Sequence, residues 1–187
     1  GLRGLSSTLK TNNSEQAQGM LHHLEGLTTH SLVELQRLIS DLRPSHLDDL
    51  GLPAALRWYA NVIHERSDLL THVQIRGQER EVSAAAKTAL FRIVQEALTN
   101  VVKHAAADNA NISMTFEDDG VSIKVIDDGQ GFEPNENRPG QRISWGLRNM
   151  EERANLLGGN LKIKSRPGAG TCVEAFIPYK GMELEAV

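Results

Sequence analysis

The chain has 187 residues, 40% of them hydrophobic and 24% charged, which suits one mid-sized domain or a small domain with a helical appendage. No apolar run approaches the roughly 20 residues that span a bilayer, and no charged-then-apolar leader is present, so a soluble piece without membrane contact is expected. With 20 Lys and Arg against 24 Asp and Glu, the net charge of -4 sets nucleic acid aside as a partner, and the single cysteine, Cys172, excludes a disulfide framework and suits the reducing cytoplasm.

Leu2, Leu5 and Leu9 are spaced as on one helix face, and a polar break follows at Thr11-Asn12-Asn13-Ser14. A second helix is expected over 15–42, with Leu21, Leu24, Thr28, Ser31, Leu35, Leu38 and Leu42 in a heptad-like seam. A lone hairpin cannot cover such stripes; pairing with a second copy into a four-helix bundle, or packing on the rest of the chain, would. Arg43-Pro44-Ser45 ends that helix and marks a domain boundary.

The remaining segments change character. A helix with Pro53 in its first turn is expected over 53–66, a short strand at 72–75, and a long helix over 82–106 carrying Leu90, Ile93, Val94, Ala97 and Val101. The period then becomes two, and 111–116 and 121–126 form a hairpin around Asp118-Asp119-Gly120. A loop over 127–146, a helix over 147–157 stopped by Gly158-Gly159, and two strands around Pro167-Gly168-Ala169-Gly170 complete the order. The fold class this predicts is α+β: a two-layer sandwich with a mixed, largely antiparallel sheet and helices on one face, preceded by a helical hairpin. Residues 181–187 read as a frayed tail.

Four features could carry chemistry. Glu96, Asn100, Lys103 and His104 share one side of the long helix; such a stripe also suits a solvated face, but the Asn100 carboxamide can ligate a hard cation. Asp127-Asp128-Gly129-Gln130-Gly131 follows an apolar strand, where a carboxylate can accept from an exocyclic amine and glycines permit close backbone approach, although Asp-Gly pairs also make plain turns. Gly146-Leu147 opens a helix, whose free N–H groups favour phosphate or are simply capped. Gly168-Ala169-Gly170-Thr171 lies between two strands, as an ordinary turn also would.

In this order, the four features resemble the nucleotide-binding domain of sensor histidine kinases, within the wider ATPase superfamily of gyrase, Hsp90 chaperones and MutL, over residues 46–179. Leu42-Arg43-Pro44 with Leu47-Asp48-Asp49-Leu50-Gly51-Leu52 narrows the resemblance to the branch of DesK and the nitrate sensors. The resemblance implies a Bergerat-type ATPase that binds ATP with Mg²⁺. It casts Asn100 as the metal ligand, Glu96 as the catalytic base or water-polarising group, and Asp127 as the reader of the adenine amine. Gly129 and Gly131 would make room for the base, Gly146 and Leu147 would turn a helix N-terminus toward the phosphates, and Lys103 and His104 would lie near the phosphate tail. Gly170 and Thr171 form the last glycine element, Thr171 lying beneath the adenine, and residues 133–144 are cast as a mobile lid.

It further implies a homodimer in the full-length protein, whose truncated dimerisation helices are residues 1–43, and a response-regulator receiver domain as partner. The branch places its phosphate acceptor, a histidine followed by an acid, upstream of a Gly-Leu pair like Gly1-Leu2. The seven histidines here include only one followed by an acid, His64-Glu65, and it falls on a helix of the nucleotide-binding domain. It reads as an ordinary surface histidine, so this chain is expected to bind ATP without phosphorylating itself. Ser144 replaces a glycine usual in the family, and Trp145 either packs over the nucleotide or lies on the surface. Two other functions remain compatible: a non-catalytic module in which ATP switches partner binding, and a hydrolase or serine kinase of the superfamily such as an anti-sigma factor.

Overall fold

The structure is a computed structural model that describes residues 45–133 and 145–179, all within one compact unit, Ser45–Val187. The expected helices over 1–43, the loop at 134–144 with Ser144, and the tail at 181–187 lie outside the described residues.

Helix α1 (Ser45–Arg66) is broken at Gly51, whose φ of 77° and ψ of 169° leave helical space. A left-handed φ costs glycine little, and Pro53, which lacks an N–H, stands where the second segment starts and no intrahelical donor is needed. Strand β1 (Leu70–Arg76) follows, then α2 (Ala84–Asn100), whose first turn is capped by the Ser83 hydroxyl accepting from Ala86 N at 3.2 Å. Strands β2 (Asn109–Phe116) and β3 (Gly120–Asp127) form the expected hairpin. Helix α3 (Trp145–Asn155) and strands β4 (Asn160–Ser165) and β5 (Thr171–Pro178) complete the order. α3 therefore begins and ends two residues before the expected 147–157.

The sheet order is β1-β2-β3-β5-β4, with β1 parallel to β2 and every other pair antiparallel. Alternate residues point to one face: Ile112 and Met114 on β2, Val121, Ile123 and Val125 on β3, Val173, Ala175 and Ile177 on β5 are all buried. Helices α1, α2 and α3 contact this sheet and supply Leu56, Leu90, Phe91, Ile93, Val94, Leu98 and Met150 to the same core. The other face is polar and half-exposed; there Lys124 and Glu174, cross-strand neighbours, form an ion pair of 3.0 Å. The expected two-layer α+β sandwich is the observed one.

One departure bears on the site. The long helix does not run as α-helix to 106: it stops at Asn100, and Val101–Ala105 form one π-helical turn closed by Ala106 in left-handed geometry, φ 48°. The extra residue per turn widens the helix end, so Lys103 and His104 do not continue the register of Glu96 and Asn100. Nothing in Val101-Val102-Lys103-His104-Ala105 departs from ordinary helix composition, so spacing alone predicts a regular helix there.

Phe91 is 1% exposed and meets Tyr59 of α1 edge-on, with ring centroids 5.7 Å apart. Phe91→Ala should cost about 3–5 kcal/mol in urea unfolding, because it leaves a cavity and removes the α1–α2 aromatic contact. A loss under about 1 kcal/mol would contradict this account of the helical layer.

Candidate functional site

The last residue of β3 sets the site. Asp127 is buried, and its Oδ1 accepts from Gly129 N at 2.9 Å; the N–H of Thr171, its neighbour across β5, also donates to the carboxylate. Burial nevertheless raises the Asp127 carboxyl above the usual carboxylate range, since the two N–H bonds offset only part of the lost hydration, and the charge of Asp128 adds to the rise. A buried carboxylate of this kind has acceptor capacity left for a further donor.

The glycines around Asp127 are packed against main chain. A Cβ on Gly129 would strike the Ala105 carbonyl, one on Gly131 the Arg166 carbonyl, and one on Gly170 the carbonyl of Asp127 itself. Gly170 also holds a φ of 70°. The close approach the sequence predicted is therefore present, but at each of these positions the space a side chain would take admits the protein's own backbone. Thr171 opens β5, and its Oγ1 lies 3.0 Å from Ser165 Oγ, which accepts from Phe132 N at 2.8 Å.

Asn100 and Glu96 stand on α2. The Asn100 Nδ2 is buried and makes no hydrogen bond, a costly state for a polar atom. Because amide oxygen and nitrogen exchange by a flip, the carboxamide can turn its oxygen to a cation that brings its own ligands. Among the described residues, no group of three His, Cys, Asp or Glu could hold a metal ion. The residues present thus fit Mg²⁺ carried largely by phosphate oxygens, with one amide ligand from the protein.

Gly146, in the first turn of α3, lies against Glu96 so closely that a Cβ there would overlap the Glu96 Oε1. Glycine thereby lets the helix N-terminus, with its partial positive charge, settle beside a carboxylate of α2. Leu147 packs half-buried on the core, whereas Trp145 is 70% exposed and lies on the surface. Lys103 and His104 are exposed on the π-turn. His64 sits at the end of α1, exposed, its Nδ1 3.2 Å from the Leu69 carbonyl.

Sequence reasoning missed three contributors. Asp128 accepts from Asp108 N at 3.0 Å, Asn109 N at 2.9 Å and Asn109 Nδ2 at 2.7 Å, tying the glycine loop to the start of β2. The Asn109 amide and these N–H groups hold its carboxyl below the usual range. Ser165 joins the loop to the β4–β5 turn, and Gln130 donates its N–H to the Ala105 carbonyl at 2.7 Å. The doubled Asp127-Asp128 was the available signal: two adjacent carboxylates on an extended backbone point to opposite sides.

The sequence profile of the histidine kinase-, DNA gyrase B- and HSP90-like ATPases matches residues 85–181, over half of the chain. The chain belongs to this family. Among its relatives, the kinase/phosphatase DegS of Brevibacillus brevis is 34% identical over 88% of this chain and 42% of its own length. The sensor histidine kinase MctS of Rhizobium johnstonii is 36% identical over 91% and 36%, and the oxygen sensor histidine kinase NreB of Staphylococcus carnosus is 32% identical over 83% and 44%. The chain spans about two-fifths of the length of these relatives. Its fold matches the histidine kinase domain of a blue-light-activated histidine kinase from Erythrobacter litoralis, with a TM-score of 0.56, 24% identity, and coverage of 70% of this chain and 62% of that one. Within the family it falls in the sensor histidine kinase branch of DegS and NreB. Among the described residues, no helix is long and apolar enough to cross a membrane.

The two aspartates give opposite pH signatures. A carboxyl raised by folding adds stability below its unfolded value, about 3.9, and loses it as pH rises through the folded value; one lowered by folding adds stability above that value and loses it as pH falls. Asp127→Asn should therefore melt higher than wild type at about pH 7, and Asp128→Asn lower, both gaps closing toward about pH 3. A lower melting temperature for Asp127→Asn at neutral pH would contradict the desolvation assigned to Asp127.

Proposed function

We propose that this chain is the ATP-binding catalytic region of a sensor histidine kinase, passing the ATP γ-phosphate to a histidine for relay to an aspartate on a response-regulator receiver domain. The observation that carries the reading is the buried Asp127 carboxylate at the end of β3, held by two N–H groups with acceptor capacity remaining. The adenine amine is the donor that suits it, and Thr171 sits beside it on β5.

Asn100 would hold Mg²⁺, which when bound neutralises phosphate charge; its buried Nδ2, left without a hydrogen-bond partner, favours a carboxamide that reorients for that role. Lys103 and His104 face the phosphate tail from the π-turn, and the first turn of α3 at Gly146 and Leu147 offers N–H groups to it. Glu96, against that helix start, takes the proton released when the acceptor imidazole nitrogen bonds to the γ-phosphorus and the bond to the ADP oxygen breaks. Positioning and charge neutralisation supply most of the catalysis in such a transfer.

The reading extends to the flanking parts. Residues 1–43 are the end of the dimerisation helices, residues 46–180 the catalytic domain, and the full-length protein is a homodimer whose kinase region works in the cytoplasm. Of the seven histidines only His64 is followed by an acid, and it lies on α1 of the catalytic domain rather than on a dimerisation helix, so this chain binds ATP without labelling itself.

Calorimetric titration of Mg²⁺-ATP tests the reading. Wild type should bind, Asp127→Asn should lose about 1.5–3 kcal/mol, on the order of ten- to a hundredfold in Kd, and Asn100→Ala should bind equally with or without Mg²⁺. A folded wild type that binds no ATP, or an Asp127→Asn variant of unchanged affinity, would contradict it.

A further inference from the structure

Gln130 joins two parts of the site that lie far apart in sequence. Its side-chain Nε2 donates to the His104 carbonyl at 2.6 Å, and its backbone N–H donates to the next carbonyl, Ala105, at 2.7 Å. Its own carbonyl accepts from Gly168 N, also at 2.6 Å. His104 and Ala105 end the π-turn, and the last carbonyls of any helix lack donors from within it. One residue of the glycine loop thus supplies two donors to a helix end 26 residues earlier in the chain, and binds that end to the β4–β5 turn.

The need for such a cap follows from the local backbone. A π-turn is less favourable than the α-helix it replaces, and this one terminates at Ala106 in left-handed geometry, which disfavours residues with a Cβ. The five residues contain no glycine or proline that would impose the turn. Contacts from outside must hold it, and the carbonyl bonds from Gln130 are the ones at its end. Because Gly129 fits against the Ala105 carbonyl as well, the loop and the turn are packed as one unit.

We propose that Gln130 is a positioning residue: its side chain fixes the π-turn that carries Lys103 and His104, and so sets the phosphate end of the pocket without touching the nucleotide. This rests on the nucleotide-binding reading above. It implies a division of labour in the glycine loop, in which Asp127 selects the base while Gln130, three residues later, orients the groups that meet the phosphates. The backbone bonds of Gln130 to Ala105 and Gly168 survive any side-chain substitution, so variants keep the loop in place and isolate the bond to His104.

The test combines amide hydrogen exchange at 101–106 in the ligand-free protein with titration of ATP and adenosine into wild type, Gln130→Met and Gln130→Lys. Methionine keeps the length and removes the donor; lysine restores one. In Gln130→Met, exchange at 101–106 should rise at least about threefold and ATP affinity fall about three- to tenfold, the range expected of one net hydrogen bond, with adenosine affinity unchanged. Gln130→Lys should recover the exchange protection. Unchanged exchange in Gln130→Met overturns the clamp, and equal losses for ATP and adenosine overturn the positioning role. A wild type that binds neither ligand, with the exchange difference still present, overturns the role toward phosphate and identifies the nucleotide reading as the failure, while supporting the clamp.

Discussion

A carboxylate buried at the end of a central strand constrains everything around it. Asp127 is held there by N–H groups of Gly129 and Thr171, one from the loop after β3 and one from the start of β5. Bringing the β4–β5 turn that close requires Gly170, whose Cα rides on the Asp127 carbonyl; bringing the π-turn that close requires Gly129 on the Ala105 carbonyl. Replace any of these with a side chain and main chain must move. The glycines are thus a condition for a buried acceptor before they are anything to a ligand, and the desolvation they help to impose is what makes the carboxylate selective for a donor.

The second organising contact is between helices. Gly146 lets α3 begin directly against Glu96, so a helix N-terminus and the candidate base belong to one local arrangement rather than to two separate motifs. With Asn100 one turn further along α2, its Nδ2 buried and without a hydrogen-bond partner, the arrangement gathers an anion-favouring helix end, a carboxylate and a metal-ligand candidate along the same side of the sheet. These groups suit a charged, multidentate ligand better than an apolar one.

Much of this was legible in the sequence because it rests on period and punctuation. The switch from a helical to a two-residue period located β2 and β3, and the apolar strand ending in Asp127 before two glycines marked where the structure holds a buried carboxylate. The cross-chain contacts were not legible. Val101–Ala105 has the composition of an α-helix, and it is π-helical where the glycine loop caps it, a tertiary effect with no local signal. Asp128 looked like half of a turn and instead binds three donors on Asp108 and Asn109. Gly129 and Gly131 suggested room for a flat ring, but the space of the missing side chains holds carbonyls of Ala105 and Arg166. Spacing reports which residues share an element, whereas these facts depend on which elements meet.

The central claim is that Asp127 reads a purine amine from a buried acceptor position. Competition between ATP and its 6-oxo purine counterpart tests this most directly, because the two differ in whether the base edge offers a donor or an acceptor to the carboxylate. Wild type should prefer ATP by at least about tenfold, as expected when a buried polar group is left without its partner, and Asp127→Ala should bind both weakly with the preference gone. Equal affinity of the wild-type protein for the two nucleotides would contradict the assignment of Asp127.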